Sequence, residues 1–162
     1  MDDAPEFAAA LGRLIAHWGF LEGELSELLG ILLRLDQARA SMVFNTFPAL
    51  GQKIGLIERL LYSFTQENEA RNVALNFCKR AKALADDRNK YIHATWGGGD
   101  GEFCIFSKGL PSSTKKRLSI VPGVKVQDIQ NDVDKVAVLS QEILDFRVSQ
   151  ALRLVILQSP LA

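Results

Sequence analysis

The segment Arg88-Asn89-Lys90-Tyr91-Ile92-His93 gathers a guanidinium, a carboxamide, an ammonium, a phenol and an imidazole within six residues. An imidazole in ordinary surroundings titrates near 6.5 and can take or give a proton at neutral pH. A guanidinium forks onto two oxygens of a phosphate and stabilises negative charge that builds there. Together they supply acid–base chemistry on a phosphate ester without a metal. The spacing alone is weak evidence: 10 Arg and 2 His among 162 residues give such a pair by accident about one time in eight. Asparagine, 6 of the 162 residues, directly after the arginine lowers those odds about twentyfold. A structural reading stays open beside the chemical one. Arg88 is also placed to complement a helix C-terminus, and His93 to be a satisfied boundary residue. His17, the other histidine, lacks such a setting and reads as structural.

Geometry on a helix limits what the segment can do. Five residues turn about 140°, so Arg88 and His93 do not share a face, whereas Asn89 and His93, four apart, do. Asn89 is therefore placed to orient the imidazole or to contact RNA. Arg88 and His93 can flank one cleft if the helix end relaxes or if a second subunit closes the other side. Glu22 falls at the edge of an apolar stripe between Ile15 and Leu29, where a carboxylate is costly unless paired. Arg88 is the partner expected for it, a half-exposed shoulder position being the alternative. Tyr91 is a candidate for stacking on a base or for packing against a partner. Lys79, Arg80, Lys82 and Lys90 surround the segment, and Lys108, Lys115, Lys116 and Arg117 follow later. They could track a phosphate backbone or be an ordinary solvated surface, and Asp86 and Asp87 oppose the first group.

The elements that must position these groups are mostly helical. Leu11, Trp18, Leu25 and Leu32 repeat every seven residues, as do Leu14, Leu21, Leu28 and Leu35. This predicts one helix over 4–35, about 45 Å long, in a bundle or at a helical dimer seam. It contains Gly12, Gly19, Gly23 and Gly30, each costing about 1 kcal/mol against alanine, which points to another backbone approaching closely on the Gly12/Gly19 side. Further helices are expected over 36–47, 50–64 and 67–94, and a last one over 126–157. Trp96-Gly97-Gly98-Gly99-Asp100-Gly101 cannot stay helical. Phe103 to Phe106 and Leu118 to Val121 read as two short strands. The expected fold is thus all-α: a single domain over 1–162, an up-and-down bundle of four to five helices with a long β-hairpin, about 96–122, inserted before the last.

The arginine, the polar residue behind it and the histidine five positions on, late in an amphipathic helix, resemble the R-x(4–6)-H motif of HEPN domains. The order of helices is similar to that family's over nearly the whole chain. Relatives with an intact motif are often metal-independent endoribonucleases, working where the motif helices of two protomers meet. The resemblance implies Arg88 and His93 as catalytic residues, Asn89 in support, RNA as substrate and a homodimer as the working unit. There, a base would remove the proton of a 2′-hydroxyl as its oxygen attacks the adjacent phosphate. The resemblance further implies a toxin or phage-defence effector, with a nucleotidyltransferase-like antitoxin as a possible partner. The alternative is a HEPN-like dimerising module that binds RNA or a nucleotide without cleaving it.

Composition narrows the classes. Lys and Arg together equal Asp and Glu, 19 each, so nucleic-acid contact would be local rather than over the whole surface. Cys78 and Cys104 form no C-x-x-C pair and read as buried reduced thiols. No metal or cofactor is expected. The acidic start, Met1-Asp2-Asp3, lacks a signal-peptide layout. No apolar run is long enough to span a bilayer, so the cytoplasm is the expected location.

Overall fold

A computed structural model describes residues 5–65, 67–92, 95–99, 102–107, 119–121 and 124–149. The seven-residue leucine repeat forms helix α1, Pro5–Leu33. Its stripe of Leu14, Trp18, Leu21, Leu25, Leu28 and Leu29 is buried, each leucine contributing roughly 1.5–3 kcal/mol of transfer free energy. α1 ends in a Schellman motif. The Leu35 N–H reaches the Gly30 carbonyl at 2.9 Å, and that of Arg34 reaches Ile31 at 3.2 Å. Arg34 takes the left-handed position, φ 56°. Asp36 then caps the short helix α2, Gln37–Asn45, by accepting the Arg39 N–H at 2.9 Å.

Helices α3, Leu50–Phe64, and α4, Glu69–Ile92, follow, and α5, Val126–Val148, closes the described bundle. Side-chain pairs fix the directions. Arg13 meets Gln130 while Arg147 meets Glu24 and Glu27, so α5 runs parallel to α1. Arg80 meets Glu142 while Tyr91 meets Asp132, so α4 is antiparallel to α5. α4 is likewise antiparallel to α3, with Lys82 at Glu58 and Arg88 in one cleft with Lys53. α2 thus carries the chain between two helices of the same direction, α1 and α3, which is not a simple up-and-down order.

The five helices agree with the expected helical bundle, whereas the expected long two-stranded hairpin is corrected. Between α4 and α5 three strands pair: β1, Thr95–Gly99, β2, Glu102–Ser107, and β3, Ser119–Val121. They form an antiparallel sheet in the order β1-β2-β3. Gly97, Gly98 and Gly99, read as a break, pair with Cys104, Phe103 and Glu102. Glycine stops a helix, but strand pairing needs only a backbone N–H and C=O, and an edge strand tolerates it. The signal lay in Asp100-Gly101, a favoured pair between hairpin strands.

The glycine expectation for α1 is corrected too. A methyl group added at Gly12, Gly19 or Gly23 would meet nothing within 4 Å among the described residues. Close approach occurs at Gly30, where an added Cβ would sit 2.9 Å from that of Ala40 and would push α2 away. Among the described residues no helix is long and apolar enough to cross a membrane. The expected extension of the last helix to Leu157, and Lys108, Lys115, Lys116 and Arg117, lie outside the described residues.

Candidate functional site

Arg88 sits in the last turns of α4, facing a cleft of about 660 Å³ between α1, the start of α3 and α4. Trp18 and Glu22 of α1 line one wall, Pro48 to Gly51 with Lys53 and Ile54 a second, and Lys82, Ala85, Asp86, Arg88 and Asn89 the third. The Arg88 guanidinium lies over the Trp18 ring, 5.4 Å from its centroid, a cation–π geometry. Its Nη1 donates to Asn89 Oδ1 at 3.2 Å. Among the described residues its buried Nε has no hydrogen-bond partner and no carboxylate pairs with Arg88. His93 lies outside the described residues.

Glu22 does not pair with Arg88. Its Oε1 accepts from Trp18 Nε1 at 3.0 Å, one helical turn away, and its Oε2 meets Lys53 Nζ at 2.9 Å. The reason is burial. Lys53 is only 7% exposed, and an ammonium out of water must find a counter-charge. A guanidinium resting on an indole face at a cleft wall has less need of one. Lys53 also lies 4.5 Å from the centroid of the Phe44 ring. Sequence reasoning missed both Lys53 and Trp18. Lys53 was visible as a cation inside the stripe of Ile54, Ile57, Leu60 and Leu61, four residues before Ile57.

The start of α3 adds a different chemistry. Its N-cap, Ala49, offers no side-chain acceptor, and its first turn holds no acidic residue. The N–H groups of Gln52 and Lys53 return to the Ala49 carbonyl. Those of Leu50 and Gly51 have no acceptor among the described residues. These orphan donors and the helix dipole place partial positive charge at the cleft wall.

Tyr91 is not placed to stack on a base. It is buried, and its hydroxyl donates to Asp132 Oδ2 of α5 at 2.8 Å. Asp132, itself buried, also accepts from Lys135 at 2.7 Å. Burial first, then the bond to Asp132 and its negative charge, push the phenol well above its usual range. The expected basic track is largely neutralised. Arg80 pairs with Glu142, Lys82 with Glu58 and Lys90 with Asp87, and the Asp87 contact raises Lys90 above its ordinary value. Lys79 is exposed and unpaired among the described residues. The Cys78 thiol is buried and pushed up to about 12, by burial and then by the charge of Glu58, so it stays protonated and unreactive. Among the described residues no cluster of His, Cys, Asp or Glu could hold a metal ion.

Comparison of the chain with protein-family models, with curated proteins and with solved structures found no match.

Proposed function

We propose that the protein is a metal-independent endoribonuclease of the HEPN kind, working as a homodimer, with Arg88 on the scissile phosphate and His93 as the proton carrier. The observation that supports this is Arg88 itself: a guanidinium at a cleft wall, held by an indole face and a carboxamide, with no carboxylate partner among the described residues. Cations that only stabilise a fold are usually paired, as Arg80, Lys82 and Arg147 are here. In the reaction the 2′-oxygen attacks phosphorus as its proton passes to a base. The 5′-oxygen leaves with a proton from an acid, giving a 2′,3′-cyclic phosphate and a 5′-hydroxyl. A toxin or phage-defence role restrained by an antitoxin would follow from this activity.

A second reading, a dimerising module that binds RNA or a nucleotide without cutting it, is favoured by the ion-paired state of Arg80, Lys82 and Lys90. One experiment separates them. Purified protein is incubated in EDTA with structured and unstructured RNA, beside Arg88→Ala and His93→Ala. Cleavage to cyclic-phosphate ends, lost in both variants, is expected. No cleavage anywhere, or equal cleavage by wild type and variants, overturns the ribonuclease reading.

A further inference from the structure

We propose that the cleft beside Arg88 is a binding site for a phosphate group, of a mononucleotide or of an RNA strand, held between Arg88, Lys53 and the uncapped N-terminus of α3. The site shares Arg88 with the ribonuclease reading but does not need cleavage, so binding and turnover can fail separately.

Three independent observations converge on one cavity. The Arg88 Nε is buried without a partner among the described residues, a costly state in a native fold. The atom is closed to solvent in this conformation, so an oxygen acceptor relieves it as the guanidinium turns toward the cleft, and the guanidinium forks naturally onto phosphate. Lys53 gives one N–H to Glu22 and rests on Phe44. Of its three ammonium protons, the rest have no hydrogen-bond acceptor among the described residues. Leu50 and Gly51 line the same cleft, and their N–H groups, free of a side-chain cap, are the kind of donors that phosphates take at helix N-termini. The volume, about 660 Å³, lies in the range of small-ligand sites. Glu22 lines the cleft but spends both oxygens on Trp18 and Lys53. Asp86 also lines it, is unpaired among the described residues and opposes an anion.

The test follows backbone amide resonances of the full chain on titration with inorganic phosphate, 5′-AMP and a short 2′-O-methyl RNA that cannot be cleaved. Saturable shifts at Leu50 and Gly51 are expected. Phosphate and 5′-AMP acting alike identify a monophosphate site, whereas a response to the RNA analogue alone identifies a strand phosphate. Ala49→Asp supplies an intramolecular cap and a negative charge, so it is expected to raise the melting temperature and weaken binding at least tenfold. Arg88→Ala weakens binding by a similar factor, and Asp86→Asn strengthens it severalfold. Wild-type binding by Ala49→Asp, shifts confined to surface lysines, or no binding of any probe overturns the proposal, whatever the RNA cleavage assay gives.

Discussion

At the scale of single residues, the chemistry near the motif divides between groups that are tied down and groups that are held ready. Tyr91 belongs to the first kind. Its bond to Asp132 joins α4 to α5, and removing it in Tyr91→Phe leaves a buried carboxylate with Lys135 as its remaining cation among the described residues. A charge-assisted bond of this kind contributes about 1.5–3 kcal/mol, and a loss of that size is expected in urea denaturation at pH 7. The folded chain holds the phenol proton more tightly than the unfolded one, because the phenol is raised on folding. This contribution is therefore complete below the ordinary phenol range near 10 and lost as the pH rises through the higher folded value. Wild-type stability should fall on the alkaline side more steeply than that of Tyr91→Phe; parallel curves would show that the phenol is not raised. Arg88 and Asn89 were legible in the sequence because their types and spacing are unusual. That Glu22 needed a partner was legible as well. Which cation would serve was not, since Lys53 and Arg88 come from different helices and only the packing of α3 against α1 brings Lys53 to Glu22.

At the scale of elements, the helices followed from apolar periodicity because each buries one stripe in a common core, and α3 begins and ends at the expected residues. The strand β1 was not legible by the same logic. Its glycines carry no side-chain pattern, so apart from the Asp100-Gly101 pair that follows it only backbone pairing with β2 marks it. Two positions at the C-terminal end of α1 make opposite predictions about glycine. Arg34 holds a left-handed φ of 56°, a conformation costing about 1–2 kcal/mol for a side chain bearing a Cβ. Arg34→Gly relieves it and loses part of the gain to a freer unfolded chain. A net rise of roughly 0.5–1 kcal/mol is expected by chemical denaturation, and a fall would mean that the arginine side chain holds the turn. Gly30→Ala gains helix propensity, about 1 kcal/mol. It also drives a methyl group into Ala40 at 2.9 Å, and overpacking of this kind costs about 1–3 kcal/mol. The expected balance is a loss, whereas Gly19→Ala, open within 4 Å, should gain close to the full propensity term. Equal effects at the two sites would rule out the tight α1–α2 contact. The missing cap at Ala49 has the same character: Ala49→Asp should add about 1 kcal/mol to stability while closing the donors that face the cleft.

At the scale of the whole molecule, zero net charge and the pairing of Arg80, Lys82 and Lys90 leave no broad basic surface around Arg88 among the described residues. From the described residues, a hold on RNA rests on a few well-placed groups, and the ribonuclease reading gains force if two protomers pool them. On an ideal helix Arg88 and His93 diverge by about 140°, so the proposed site takes its arginine from one protomer and its histidine from the other. A mixing experiment tests this directly. Arg88→Ala and His93→Ala protomers, each inactive alone, are unfolded together, refolded at equal concentration and assayed on RNA in EDTA. Random pairing makes about half of the dimers hybrids. Each hybrid holds one site with both groups intact, an Arg88 from the His93→Ala chain facing a His93 from the Arg88→Ala chain. Its second site lacks both. Activity should therefore return to about a quarter of the wild-type level, rising and falling with the fraction of hybrids as the mixing ratio is varied. If both groups act from the same protomer, every hybrid site lacks one of them and the mixture stays inactive. A chain that remains monomeric by light scattering at micromolar concentration would remove the composite site altogether. Phosphate binding at α3, which needs one protomer, would be left standing.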